Sequence, residues 1–198
     1  MKIIVATTNE GKMKEFRKLL ASENVEVLSM KEAGIDLDID ENGTTFEENA
    51  AIKAKTVCAA ANTICLADDS GLVIDYLGGE PGIYSARYLG HDTPYEEKNR
   101  IIIERLKGVE KEKRTARFVC AVAAALPNGT VMTVTDTMEG RIADNPAGCG
   151  GFGYDPIFFY PPKGITSAEM TPDEKNAISH RGKALRRMNA FLREEILK

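Results

Sequence analysis

The opening of the chain constrains its fold most. A short β-branched run, "KIIVA" (2–6), breaks at "TTNEGK", and Met13, Phe16, Leu19 and Leu20 then recur at the spacing of one helix face. The chain thus opens strand, polar turn, helix, and "NVEVLSM" (24–30) alternates as a second strand would. Signals of both kinds continue. In "TTFEENAAIKAKTVCAAAN", Thr45 is placed as an N-cap with Glu48 three residues on, a capping box. Next come the apolar "TICLA", the polar "DDSG" and the apolar "LVIDYL", read as strand, turn and strand. "GGEPGIYSARY" is punctuated as a loop; "TPYEEKNRIIIERLKG" opens with Thr93 as N-cap, Pro94 at the first helical position and Glu96 closing the box.

"RTARFVCAVAAAL" and "TVMTVTDTMEGRIA" flank "PNGT" and predict a long antiparallel hairpin. The glycine-rich "AGCGGFGYDP" and the apolar "IFFYPP" follow, and Thr171, Pro172, Asp173 and Glu174 start a short helix. The last helix, in "SHRGKALRRMNAFLREEIL", carries Leu185, Met188, Leu192 and Ile196 on its apolar side. Strands and helices mixed in this way around a hairpin predict an α/β fold with a mixed sheet.

Composition narrows the function classes. Its 198 residues suffice for one large domain or two small lobes around a shared core, and 43% hydrophobic with 28% charged residues read as an ordinary soluble globular protein. A net charge of -4 argues against a broad nucleic-acid-binding surface, though not against a small anion held by a local group of Lys and Arg. Cysteines 58, 65, 120 and 149 form no C-x-x-C pair, three lie in apolar runs, and only His91 and His180 join them, too scattered for a zinc site. The start turns polar after six residues and no apolar run could span a membrane, so a reduced, cytoplasmic protein is expected.

Several stretches could carry chemistry. The turn "TTNEGK" feeds a helix start, where backbone N–H groups and the dipole favour an anion; Lys12 in that first turn fits an anion site, and fits a solvated lysine equally. Asp68 and Asp69 in "CLADDSGLVI" are neighbouring carboxylates; in extended chain they would point to opposite faces, so only one could head a given site. A Mg²⁺ ion is commonly held by one or two carboxylates plus substrate phosphates, and Glu41 in the acidic "DLDIDENG" (36–43) is a possible second ligand. An ordinary polar turn explains "ADDSG" as well. Asn49 and Lys53 share a helix face with Phe46 and Ala50, the mixture expected of a cleft wall or of a snorkelling lysine. Gly148, Gly150 and Gly153 match G-x-G-x-x-G, but a hairpin precedes them and no helix follows, which removes the dinucleotide reading. What they offer is an uncrowded frame around Phe152, which could stack on a base or fill a core. "EKNAISHRGK" gathers Lys175, His180, Arg181 and Lys183, donors for carbonyl or phosphate oxygens or a solvated helix start.

Taken together and in order, "ATTNEGK" (6–12), "TFEENAAIKA" (45–54), "ADDSGL" (67–72), "GGEPGIYSARY" (78–88), "GGFGYDPIF" (150–158) and "EKNAISHRGKAL" (174–185) resemble the Ham1-type family of inosine/xanthosine triphosphate pyrophosphatases. The resemblance implies an elongated, two-lobed α/β fold: a long central mixed sheet flanked by helices, with the active-site cleft between the lobes. It implies a single domain over residues 1–198, assembled as a homodimer. It also implies Mg²⁺-dependent cleavage of non-canonical purine nucleoside triphosphates (dITP, ITP, XTP) to monophosphate and pyrophosphate, which keeps them out of DNA and RNA. Carried over by position, Thr7, Thr8, Asn9, Glu10, Gly11 and Lys12 would bind phosphates, with Lys53 facing them and Ser70 touching substrate. Asp69 would accept the proton and, with Glu41, contact Mg²⁺. Phe152, Gly153, Tyr154 and Asp155 would hold base and sugar, and Lys175, His180 and Arg181 the base pocket. The expected partner is a small nucleotide rather than a nucleic acid or a membrane. A related Maf-type pyrophosphatase is the enzymatic rival, disfavoured by "SHR" and "GGFGYD"; a nucleotide sensor without turnover is the rival from another class, and the retained Asp68, Asp69 and Glu41 speak against it.

Overall fold

The structure, a computed structural model, describes residues 1–20 and 25–196; the side chains of residues 195 and 196 lie outside that description. The elements are β1 (Lys2–Val5), α1 (Glu10–Leu20), β2 (Glu26–Ser29), α2 (Phe46–Ala61), β3 (Ile64–Ile74), α3 (Tyr95–Arg105), β4 (Thr115–Ala125), β5 (Val131–Ile142), β6 (Phe158–Tyr160), β7 (Ile165–Thr166), α4 (Pro172–Ile178) and α5 (His180–Ile196). The seven strands form one sheet in the order β2-β1-β3-β4-β5-β6-β7. β1 runs parallel to both β2 and β3, whereas β5 pairs antiparallel with β6 and β6 with β7, so the sheet is mixed. β4 and β5 are joined through residues 126–130 only, a connection short enough for a hairpin and too short for a parallel crossover. The expected α/β fold with a mixed sheet is therefore present.

Two compact units divide the chain. The first takes Met1–Asp69, Cys120–Asp136 and His180–Lys198; the second takes Ser70–Val119 and Thr137–Ser179. In the first unit the two-residue period of a strand sorts side chains between two cores. Ile3, Val5 and Leu66 join Met13, Phe16 and Leu20 of α1 and Leu185, Met188 and Leu192 of α5. Ile4, Ala6, Cys65 and Ala67 join Ala50, Ala54 and Val57 of α2. β4 obeys the same rule, with Cys120, Val122 and Ala124 in one core and Ala121, Ala123 and Ala125 in the other. Burial on both faces explains why these strands read as unbroken apolar runs. The second unit has a core of its own, built on Leu72, Ile74, Ile102, Leu106, Phe118, Met138, Ile157 and Phe158. The last helix does bury Leu185, Met188 and Leu192. The Ile196 side chain and Asn24, in the expected second strand, lie outside the described residues.

Three local expectations are corrected. "DDSG" is no turn: β3 runs unbroken from Ile64 to Ile74, and "DYL" leaves it as a single 3₁₀ turn. α3 begins at Tyr95 rather than Pro94 and has no side-chain cap, because Thr93 donates its hydroxyl to the Leu89 carbonyl (2.7 Å). At α2, Thr45 is the N-cap and accepts from the Glu48 amide (3.1 Å), but the Glu48 carboxylate takes the amide (2.6 Å) and hydroxyl (2.8 Å) of Thr44, one residue earlier than a standard box. The box at Thr171 and Glu174 is complete in both directions.

Candidate active site

Strand periodicity decides what the two neighbouring carboxylates meet. Asp68 has the parity of Leu66 and faces α1 and α5; Asp69 has the parity of Ala67 and faces α2. On the first face, Asp68 Oδ2 lies 3.0 Å from Lys12 Nζ and accepts from Arg181 Nε at 3.1 Å. Arg181 also donates through Nη1 to Glu15 (2.6 Å). Burial by itself would push the Asp68 carboxyl up; Lys12 and Arg181 overcome it and hold the group well below the usual carboxylate range. The Arg181 guanidinium is held above its ordinary value against the same burial by Asp68 and Glu15.

On the second face, Asp69 Oδ2 accepts from Asn49 Nδ2 (3.3 Å), and Asp69 Oδ1 lies 3.5 Å from Lys53 Nζ. The same ammonium donates to Glu41 Oε2 at 2.8 Å. Asn49 Oδ1 in turn accepts from the Gly43 amide (2.9 Å), which fastens the segment after Glu41 to α2. A Cβ at Gly43 would fall 2.7 Å from that Oδ1, so the close approach requires glycine. Burial pushes the Asp69 carboxyl up, and its cationic neighbours, Lys53 first, offset only part of that. Lys53 is the reverse case: burial works against its charge, and Asp69, Asp68 and Glu41 together raise it. The pair thus has two environments: two cations meet Asp68 at Oδ2 and hold it charged, whereas at Asp69 burial prevails and raises the proton affinity.

The strand-to-helix turn supplies the remaining first-unit residues. The Thr7 hydroxyl accepts from the Asn9 amide (3.2 Å), and Asn9 Oδ1 accepts from the Lys12 amide (3.1 Å), so Asn9 caps α1. Thr8 completes the turn, Glu10 and Gly11 open α1, and Lys12 in its first turn leans onto Asp68. His180, buried, is the first residue of α5, immediately before Arg181.

The second unit holds a separate group. Ser70, half-buried on β3, is its first residue. Asp155 Oδ2 accepts from Lys175 Nζ (2.6 Å) and from the Phe152 amide (2.8 Å), and Lys175 Nζ stands 5.1 Å over the Phe152 ring. Gly151 (φ +73°) admits this, because a Cβ there would fall against Asp155 Oδ2. Gly148 and Gly150 likewise lie against the Ala168 backbone, so the glycines of "GCGGFG" serve close packing. Tyr154 is buried and donates its hydroxyl to the Ser85 carbonyl (2.7 Å); the Gly153 carbonyl accepts from Asn99 Nδ2 (3.1 Å).

The structure therefore brings Lys12, Asp68 and Arg181 together, Glu41, Lys53 and Asp69 together, and Phe152, Asp155 and Lys175 together. Arg181, grouped by sequence with Lys175, is engaged by Asp68 and Glu15 in the first unit. Glu15 and Asn99 were missed: Glu15 shares a face of α1 with Lys12 at three-residue spacing, which could have flagged it, whereas nothing local marks Asn99. Oxygen donors of the kind Mg²⁺ takes are present in this group. Two hard carboxylates, Asp69 and Glu41, converge on one ammonium, so the spot is already built for positive charge. Among the described residues no group of three or more His, Cys, Asp or Glu could hold a metal.

The fold and site define a mixed-sheet α/β protein that carries a buried carboxylate–cation network and, separately, a glycine-framed aromatic loop. Within that class the assignment is specific: the model of the Ham1 family matches residues 3–191, and the chain belongs to this family. It is 50% identical over 189 residues to the dITP/XTP pyrophosphatase of Bacillus subtilis (strain 168), covering 96% of each chain. Against that of Listeria monocytogenes serotype 4b it is 47% identical over 197 residues, covering 100% of this chain and 97% of the relative. The solved Ham1 protein of Staphylococcus aureus superposes with a TM-score of 0.89 at 38% identity, over 98% of this chain and 100% of the other.

Proposed function

We propose that the chain is a pyrophosphatase of non-canonical purine nucleoside triphosphates, converting dITP, ITP and XTP to the monophosphate and pyrophosphate before a polymerase can use them. The observation that carries this reading is the Asp69–Lys53–Glu41 cluster: a buried carboxylate whose proton affinity is raised, set against an ammonium and a second carboxylate. The curated relatives in Bacillus and Listeria, named dITP/XTP pyrophosphatases, support the substrate class.

Each residue has a role in the proposed chemistry. Asp69 accepts the proton of the attacking water, and its raised proton affinity suits that task near neutral pH. Lys53, kept charged by its carboxylate neighbours, stabilises negative charge developing on the phosphates. Lys12 and the turn amides of residues 7–11 take the phosphates at the start of α1. Mg²⁺, held by Asp69 and Glu41, would neutralise triphosphate charge when bound. Phe152 stacks on the purine, with Gly153, Tyr154, Asp155 and Lys175 of the second unit as the base-reading set; the family resemblance adds His180, Arg181 and Ser70 as further substrate contacts. Donors in that set favour the C6 oxygen of hypoxanthine and xanthine over the amino group of adenine. The cytoplasm suits the four free cysteines, three of them buried, and the working form is a homodimer.

Incubation with ITP, XTP, GTP and ATP separately, with Mg²⁺ or with a chelator, tests the proposal. Pyrophosphate and monophosphate from ITP and XTP are expected, and only with the metal. No turnover of any of the four would overturn the enzyme reading.

A further inference from the structure

The loop 152–155 is tied down residue by residue within its own unit. Asp155 takes the Phe152 amide and Lys175; Tyr154 gives its hydroxyl to Ser85 and meets the Tyr95 ring edge-on, centroids 5.2 Å apart and planes at 88°. Gly153, at φ +67°, sits 3.5 Å by its would-be Cβ from Tyr95 and gives its carbonyl to Asn99 Nδ2 at 3.1 Å. Of these loop side chains only the Phe152 ring is exposed, at 38%. Tyr95 and Asn99 lie four apart in the first turns of α3, so one helix face abuts the loop.

Asn99 is the unusual member. It is 4% exposed, yet only half of its amide is used: Oδ1 has no hydrogen-bond partner among the described residues. A buried, unsatisfied oxygen is costly, and a leucine of similar size would avoid that cost. What asparagine does that leucine cannot is hold the Gly153 carbonyl. Resting on the reading of this loop as the purine platform, we infer that Asn99 is a positioning residue for base recognition. By fixing the left-handed Gly153 it sets the angle at which Phe152 is offered to the purine. Its hydrogen bond goes to the loop that carries Phe152, so its effect falls on purine binding and selectivity.

The chain has no tryptophan, so Phe152→Trp places a single indole reporter in the loop. Two readouts are combined: steady-state kinetics of Asn99→Leu with ITP and GTP, and indole anisotropy with and without Asn99→Leu in the Phe152→Trp background. The inference predicts that KM for ITP rises about tenfold, the scale of one lost hydrogen bond, with kcat within about threefold. It also predicts a smaller preference for ITP over GTP, lower indole anisotropy and a thermal midpoint no lower than wild type. Unchanged KM and selectivity, or unchanged anisotropy, would overturn it. If Asn99→Leu did not fold, Asn99→Asp, of the same shape but without the donor, is read by KM, selectivity and anisotropy, its thermal midpoint being lowered by the buried carboxylate in any case. If the wild-type chain turned over neither nucleotide, the functional reading would fall instead, while the anisotropy would still report whether Asn99 holds the ring.

Discussion

At the scale of the residue, Asp68 and Asp69 are chemically identical neighbours whose surroundings make them opposites. Asp68 is fully charged in the fold, since Lys12 and Arg181 more than offset its burial. Its folded proton affinity lies below the ordinary value of 3.8, so it contributes stability above that pH and loses it as the pH falls further. Asp68→Asn leaves the buried Arg181 and the half-buried Lys12 short of a counter-charge and should destabilise the protein by about 3–5 kcal/mol, read by denaturant unfolding. A loss under about 1 kcal/mol would show that Glu15 alone suffices for Arg181. Asp69 has its proton affinity raised, so at neutral pH its charge opposes folding of the metal-free protein. Asp69→Asn should therefore keep or raise the thermal midpoint while abolishing turnover; near-normal activity would remove Asp69 as the base. Strand parity made it legible that the two would face opposite ways in extended chain, while the reading of "DDSG" as a turn hid that β3 continues, and the resemblance singled out Asp69. Their partners were not legible, because Arg181 lies 113 positions away and only the packing of α5 brings it in.

At the scale of the element, the capping box of α4 ties ion pairing to helix formation. Glu174 accepts from the Thr171 amide and hydroxyl (2.9 Å each) and from Lys163 Nζ (2.6 Å). These hold its carboxyl down to about 2, from 4.5, with Lys163 the largest influence. A lowered carboxyl stabilises fully above pH 4.5 and loses its contribution as the pH falls from there to about 2. Wild type minus Glu174→Gln, compared by unfolding across that window, should show the difference in stability shrinking as the pH falls; a constant difference would deny the linkage. In the glycine loop, Gly151→Ala forces a Cβ against Asp155 at positive φ, and should cost about 1–3 kcal/mol and raise KM for ITP, measured by unfolding and steady-state kinetics. Starts such as Thr171 were readable because caps act within four residues. "DDSG" misled because charge ordinarily interrupts a strand, whereas here Lys12, Lys53 and Arg181, from three separate helices, pair with the two carboxylates and let β3 continue.

At the scale of the whole molecule, membership of the Ham1 family accounts for the order of the motifs along the chain, and the two units account for their grouping. The first unit draws its carboxylates and cations from β3, α1, α2 and α5; the second presents an aromatic ring from a loop braced by α3 and α4. Alternation of strand and helix made the α/β class legible, because it depends on local periodicity. The long-range pairings did not, since they depend on which helices return to which face. No helix is long and apolar enough to cross a membrane among the described residues. The homodimer proposed above predicts a sedimenting species of twice the chain mass at micromolar concentration; a monomer there would contradict it.

In the proposed chemistry, water activated by Asp69 attacks the α-phosphorus. Turnover of ITP with Mg²⁺ in ¹⁸O-labelled water, followed by mass spectrometry of both products, tests it directly. Label in the monophosphate and unlabelled pyrophosphate are expected. Label in the pyrophosphate, or release of diphosphate and orthophosphate, would contradict it.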